Sequence, residues 1–504
     1  MTNRGTTYQG SGRNMALTKT NFLVGHQCPK ALWLRKHGEG LGIVPEALSG
    51  LAQFLVDQGG EVGRLARWRF PGGIDLARVA GSDMTLRSVE TQRLMKAGAA
   101  VLYEAVFEHA GAACAVDVLV RDNEQWLLYE VKAGTKVESH HVLDAAFQYW
   151  VLAGTGLGIN DISIAHIDNQ YVRRGGLDPS QLFFTESVLA PVREMLDAVE
   201  AEIASLQAVT ASDEMADVDI GPHCSSPHDC PFRRHCYSDI PERSVFDLAR
   251  GGSKCWKLYR QGVLTVRDIP STAKLSPSQQ VQVQAEKTGK PVVDRTKIRT
   301  FLNGLSYPLC HIDFETVAEA IPRYDGMHPY EQLPFQWSVH RQETAGGAIV
   351  HYEFLADANG DPRESFVTSL LSTLEGTGSV LVYNRSFEAG RLAELRDHFP
   401  EHADQLQGVI DRLVDLMVPF QKQWYYAPQQ HGSYSIKAVC PALVPELSYS
   451  GLGISDGGMA SAAFVGLMGE TDADRIATVR SQLLAYCFMD TWAMVKLLEK
   501  LYEA

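Results

Sequence analysis

The chain has 504 residues, too many for one hydrophobic core, so its length predicts two or three domains. With 45% hydrophobic and 21% charged residues and no low-complexity tract, the composition is globular and excludes a fibrous or wholly disordered chain. No uncharged apolar run is long enough to cross a bilayer and no secretory leader opens the sequence, so a soluble, cytoplasmic protein with no membrane partner is expected.

The formal net charge of −14 weighs against a nucleic-acid partner, unless clustered catalytic carboxylates inflate the acidic count and a local basic track makes the contacts. Arg64, Arg67, Arg69, the Arg173-Arg174 pair and the stretch 287–299 are candidates for that track, with solvated surface charge as the plain alternative.

In chain order, residues 1–14 are rich in Gly, Ser, Thr and Asn and are expected to form a disordered tail, with Met15 as an alternative start. Residues 15–240 mix helix and strand: helix at 48–56, a strand within 99–107, strands at 113–120 and 126–131, and helix at 142–152. Residues 241–300 are expected to be a polar helical linker, in which 257–265 faintly resembles a helix-hairpin-helix. A second α/β region, 301–504, opens on a strand at 309–314, and another buried strand is expected at 380–383. There is no internal repeat.

Three residues of the first region carry chemistry. Asp117 lies in Cys-Ala-Val-Asp-Val, and Glu130 and Lys132 lie in Tyr-Glu-Val-Lys, with turn residues between the two strands. A turn at 122–125 would set Asp117 opposite Glu130, bring Lys132 onto the same face and point Val131 away. Two opposed carboxylates repel unless a cation lies between them, which a divalent metal and Lys132 would supply. A cross-strand charge network on an exposed hairpin is the alternative.

Asp followed by Glu-x-Lys on neighbouring strands resembles the PD-(D/E)XK nucleases. Gln148-Tyr149 resembles the Gln-x-x-x-Tyr signature of the RecB-like subgroup, although the tyrosine follows directly. Glu61, in Gly-Gly-Glu-Val-Gly, stands where that subgroup has a helical acid or histidine, and Glu104 is a further acid, catalytic or structural. The resemblance implies a restriction-endonuclease-like mixed sheet, with Asp117, Glu130 and Glu61 on Mg²⁺ or Mn²⁺ and Lys132 and Gln148 beside them.

Nine cysteines, an odd number, argue against a disulfide framework. Cys224, Cys230 and Cys236 crowd together after the nuclease-like core, and Cys28 precedes it. One ligand before and three after resembles the iron–sulfur staple of RecB-like AddB and CRISPR-adaptation nucleases, which implies a 4Fe-4S cluster on these four residues. Structural zinc is the alternative, since His223, His228 and His235 interleave the cysteines.

In the second region Asp313 and Glu315 stand two apart on a strand, Glu388 follows a strand, and Tyr486 and Asp490 stand four apart on a predicted helix. In this order they resemble the three motifs of DEDD-type exonucleases of the ribonuclease H-like fold. By that resemblance Asp313, Glu315, Glu388 and Asp490 bind two metal ions and Tyr486 orients the attacking water. Glu388 departs from the family's aspartate, and Asp411 or Asp415 is an alternative acid. The stretch 431–437 is read as a solvated loop, with a role in lining the substrate groove as the alternative.

The pairing of the two halves resembles, across nearly the whole chain, a bacterial family known as domain of unknown function 2779. The expectation is a metal-dependent nuclease acting on single-stranded DNA or duplex ends, in DNA repair or defence against foreign DNA. RNA as substrate, and a nucleic-acid-binding module with one or both sites inactive, remain the alternatives. No Gly-x4-Gly-Lys-Ser/Thr loop is present, so duplex opening would call on a separate helicase.

Overall fold

Apolar residues alternating with polar ones from Val101 to Lys132 fold into three successive antiparallel strands in the computed structural model, which describes residues 16–449 and 451–504. The tail expected at 1–14 and Met15 lie outside the described residues. Two compact units form. The first takes the residues up to Leu48, Leu55–Ser238 and Ala320–Tyr330; the second takes Ser49–Phe54, Asp239–Glu319 and Glu331–Ala504.

The first unit holds strands β1 (Leu17–Thr18), β2 (Ile74–Asp75), β3 (Val101–His109), β4 (Ala112–Asp122), β5 (Gln125–Lys132), β6 (Ile159–Ile167) and β7 (Phe183–Ser187). They lie in the order β2-β3-β4-β5-β6-β7, with β1 also pairing β4. The sheet is mixed: β3–β4, β4–β5 and β6–β7 are antiparallel, while β5 and β6 run parallel. Helix Ser139–Gly154 makes that parallel crossover and buries Leu143, Ala145, Ala146, Phe147, Val151 and Leu152. Phe147 stacks on Phe22 of helix Lys19–Gln27 at 4.7 Å between ring centroids.

The β4–β5 hairpin has the register expected of it, with Val118 opposite Tyr129 and Asp122 opposite Gln125. Its turn is tighter than the expected four residues. Asp122 and Gln125 already pair, so only Asn123 and Glu124 turn, with Asn123 at φ +55°. The helix expected at 48–56 runs over Gly50–Ala66.

The second unit holds β8 (Val292–Val293), β9 (Leu309–Ala318), β10 (Gln332–Gln342), β11 (Ile349–Leu355), β12 (Val380–Val382), β13 (Leu413–Asp415) and β14 (Tyr425–Tyr426). Five of these make one sheet, in the order β11-β10-β9-β12-β13, and β14 pairs with β8. β10 is antiparallel to both β9 and β11, whereas β12 is parallel to β9 and β13. Alternate residues of β9 face opposite sides. Cys310, Ile312 and Phe314 pack with Phe366, Leu392 and Leu406 from three helices, and Leu309 packs with Val439, Met494 and Leu497. The latter side is covered by helices Ile436–Leu443 and Ala473–Glu503.

Residues 241–300 form short helices and a small core of their own, with Val245, Leu248, Cys255, Leu258, Val266, Ile269 and Val283 buried together. They group with the second unit. Both units are mixed α/β. No helix among the described residues is long and apolar enough to cross a membrane.

Phe147→Ala empties a site with no exposed surface and removes the stack on Phe22. It is expected to cost roughly 3–5 kcal/mol of stability, read as a lower midpoint in urea denaturation.

Candidate active sites

At the open end of the β4–β5 hairpin the ladder stops and side chains take over. Asp117 Oδ2 accepts the backbone N–H of Val131 at 2.7 Å. Glu130, only 3% exposed, meets two ammonium groups on one oxygen, because Lys132 Nζ and Lys19 Nζ each donate to Oε1 at 2.8 Å. Lys132 also donates to Asp144 Oδ2 at 2.6 Å, and Gln148 Nε2 reaches Glu130 Oε2 at 2.7 Å and Asp144 Oδ1 at 3.0 Å. Asp117, Glu130, Lys132 and Gln148 are therefore brought together. Lys19 and Asp144 join them, and neither was read from the sequence as a site residue.

Burial opposes the charge on Glu130, but Lys19 and Lys132 outweigh it and hold this carboxyl below the usual range. Asp117, lacking such a partner, is pushed up to about 7 by burial and by the neighbouring Glu130 charge. Burial likewise opposes the charge on Lys132, yet Glu130 and Asp144 hold its ammonium above the usual value.

Asp117 and Glu130 form one wall of a cavity of ≈ 470 Å³, and Gly60, Gly63, Arg64 and Arg67 border it from helix Gly50–Ala66 and the turn after it. Glu61, expected among the ligands, is exposed and does not line this cavity; the 3.6-residue helical period gives that face to Gly60, Gly63 and Arg64. Glu104 lines it instead, at φ +57° in β3 and held by Arg67 at 3.3 Å and Arg87 at 3.1 Å. A left-handed glutamate in a strand costs about 1–3 kcal/mol, met here by those two arginines. Tyr149 turns to the hydrophobic core rather than the carboxylates.

In the second unit Asp313 and Glu315 lie on the side of β9 away from Phe314, which packs edge-on against Phe366 at 5.2 Å. With Tyr383, Lys437, Tyr486 and Asp490 they line a cavity of ≈ 190 Å³. The Tyr449 hydroxyl donates to Asp490 Oδ1 at 2.7 Å, and Lys437 Nζ donates to the Tyr486 hydroxyl at 2.8 Å and to the Ser455 carbonyl at 2.7 Å. Lys437 ends the 431–437 stretch and gives it a place in the cavity wall.

Burial and the neighbouring carboxylates raise Asp313 and Glu315 well above the usual range. Asp490 is pushed up to about 6 by burial, against the pull of Tyr449 and Lys437.

Glu388 sits in the first turn of helix Arg385–His398, after a sharp turn in which Asn384 has φ +95°. It is buried and does not line this cavity, and its Oε2 has no hydrogen-bond partner among the described residues. Burial and the charge on Asp313 raise its pKa well above the usual value. Asp415 accepts the N–H groups of Asn384, Arg385 and Met417 at 2.9–3.1 Å and so fixes the turn, while Asp411 is exposed and accepts from Gln407.

Cys28, Cys224, Cys230 and Cys236 line one tight cavity of ≈ 10 Å³, all as free thiols. Gln27 fastens the cysteine loop by donating to the carbonyls of His223 at 2.7 Å and His228 at 2.6 Å. Burial raises Cys28, Cys230 and Cys236, and neighbouring thiols of the four add to the rise. Of the interleaved histidines only His223 lines this cavity; His228 packs against His140 at 5.6 Å. Four thiols and one histidine, His223, therefore share this cavity.

Residues 310–435 match a family described as a domain of unknown function (DUF2779), a span holding Asp313, Glu315 and Glu388 but not Tyr486 or Asp490. Over 149 residues the chain is 30% identical to Uncharacterized protein UU173 of Ureaplasma parvum, an alignment covering 27% of this chain and 21% of that protein. Over 227 residues it is 26% identical to Uncharacterized protein MG366 homolog of Mycoplasma pneumoniae, covering 41% and 34% respectively. The matched part is about a fifth to a third of the length of these curated relatives. The crystal structure of SSO0001 aligns with 46% of this chain and 89% of its own at 11% identity, with a TM-score of 0.20, too slight a likeness to speak to fold.

Asp117, Asp313, Glu315 and Glu388 all keep their protons to higher pH when folded than when unfolded. The folded state therefore binds the excess protons, and metal-free stability is expected to fall as pH rises from 6.5 through about 7, where Asp117 loses its proton. The buried histidines, whose values are lowered from 6.5, work the other way only below that window. Thermal melts in chelator should show the fall and added Mn²⁺ should reduce it; a flat profile in chelator would count against these protonated carboxyls.

Proposed function

We propose that this protein is a metal-dependent nuclease hydrolysing DNA phosphodiester bonds, with one active site in the first unit and a second candidate site in the second. The observation that carries the reading is the cluster in which Lys132 and Gln148 both hold Glu130, while Glu130 and Asp117 border the ≈ 470 Å³ cavity. Asp117 and Glu130 fit a divalent cation, since both carboxyls border the cavity and Asp117 is hydrogen-bonded through one oxygen to the N–H of Val131. Bound there, Mg²⁺ or Mn²⁺ would polarise the phosphate and lower the pKa of a water. Lys132, pinned by two carboxylates, offers its ammonium to charge developing on the phosphate without first reorganising. Arg64 on the opposite wall suits a backbone phosphate of the same strand.

The mixed sheet around an antiparallel hairpin supports a restriction-endonuclease-like reading of the first unit. The order β11-β10-β9-β12-β13, three strands antiparallel and then two parallel, supports a ribonuclease H-like reading of the second. There Asp313, Glu315 and Asp490 would hold metal and Tyr486 would orient water. The absence of Glu388 from the cavity wall favours a second reading for this unit, in which it grips nucleic acid without cutting. The four cysteines fit a 4Fe-4S cluster, with structural zinc as the alternative, and either would tie helix Pro29–His37 to the end of the unit. DNA repair or defence against foreign DNA is the setting proposed, with RNA as the alternative substrate.

End-labelled single- and double-stranded DNA should be degraded by anaerobically purified protein with Mn²⁺. Lys132→Ala should abolish cleavage at the first site yet leave the protein folded, because Lys19 stays on Glu130; undiminished cleavage would remove the assignment. Asp313→Ala reports on the second site in the same way. Cys230→Ser is expected to lower solubility and bleach the brown colour of an iron–sulfur protein, whereas a colourless wild type with stoichiometric zinc would decide for zinc.

A further inference from the structure

One side chain at the second site is of a different chemical kind from its neighbours. Cys487 follows Tyr486 on helix Ala473–Glu503 and is fully buried. Its Sγ and carboxylate oxygens of Asp313 and Glu315 all lie within 4.8 Å of one another, the one such group of ligand atoms among the described residues. The thiol approaches Asp313, at 3.7 Å from its carbonyl and 3.8 Å from Oδ2.

We infer that Cys487 is a metal ligand together with Asp313 and Glu315, so that the second site prefers a borderline ion such as Zn²⁺, Co²⁺ or Fe²⁺ to Mg²⁺. The inference rests on the reading of this cavity as a metal site and adds to it the class of ion. Mg²⁺ takes oxygen ligands and parts with its waters reluctantly, which suits an open carboxylate site. A buried sulfur among the donors shifts the balance toward softer ions, for which thiolate is the better ligand. On binding, the sulfur–metal bond forms as the S–H bond breaks and the proton leaves to solvent.

With Asp490 on the same cavity wall, three carboxylates and a thiolate carry four negative charges, of which a divalent ion and the Lys437 ammonium offset three. Tyr449 donates to Asp490 Oδ1, and Tyr486 is also a hydrogen-bond partner of this carboxylate.

The test is titration of the full-length protein with Co²⁺, followed by absorption in the near ultraviolet, where sulfur-to-cobalt charge transfer absorbs and oxygen donors do not. Each spectrum is taken as the difference between wild type and variant, which cancels any contribution of Cys28, Cys224, Cys230 and Cys236. Cys487→Ser should lose the band and bind Co²⁺ roughly 10- to 100-fold more weakly, with little change for Mg²⁺. Asp313→Asn, which leaves the thiol intact, should lose the same band, since the two residues hold one ion. A band kept in either variant, or Co²⁺ bound by wild type with no such band, overturns the assignment of Cys487 while leaving the carboxylate site standing. No Co²⁺ bound in a manner sensitive to Asp313 overturns both. Circular dichroism of each variant separates these outcomes from loss of fold.

Discussion

Glu130 remains ionised in a nearly closed environment because two lysines meet on one of its oxygens. A lone carboxylate so buried would give up its charge; two ammonium groups within hydrogen-bonding distance reverse that outcome. Much of the first unit's geometry follows. Lys19 brings helix Lys19–Gln27 against the sheet, Lys132 fixes the end of β5, and Asp144 with Gln148 holds helix Ser139–Gly154 in register with both. Removing one lysine leaves the other on Glu130, whereas removing Glu130 would leave Asp144 as the remaining carboxylate between the two ammonium groups.

The second unit solves the same problem differently. Its carboxyls have one lysine near them, and that lysine is committed to Tyr486 and Ser455. Burial therefore wins, and Asp313, Glu315 and Glu388 favour their protonated forms in the absence of a cation. Glu130 is compensated within the chain; Asp313 and Glu315 of the second site are neutral until a cation displaces their protons. The cysteine cavity is a third variation, in which mutual proximity and burial keep thiols protonated until a positive centre displaces the protons.

How much of this was legible in the sequence depends on the range of the interaction. The pairing of Asp117 with Glu130 and Lys132 follows from strand alternation and a short turn, so a local pattern carried it. Asp144 stands one helical turn from Gln148 and was within reach of the same reasoning. Lys19 was not, since nothing local marks a residue that acts 111 positions away. The expectation for Glu61 came from its place in the family resemblance; the neighbouring Gly60 and Gly63 do border the cavity, but the helical period turns the glutamate outward. Tyr486 and Asp490 share a helical face and a cavity as their spacing predicts, while Glu388 is buried in the first turn of its helix and does not line that cavity.

The two-residue turn at Asn123 and Glu124 works as a reading frame for the hairpin. Side chains alternate along β5, so one residue gained or lost at the turn would move Glu130 and Lys132 off the face they share and put Tyr129 and Val131 in their place. Changes of length there can enter only by twos, or must be absorbed by a bulge before Tyr129. A loop at the surface, remote from any reacting atom, thereby decides whether Glu130 and Lys132 meet Asp144 and Gln148 at all.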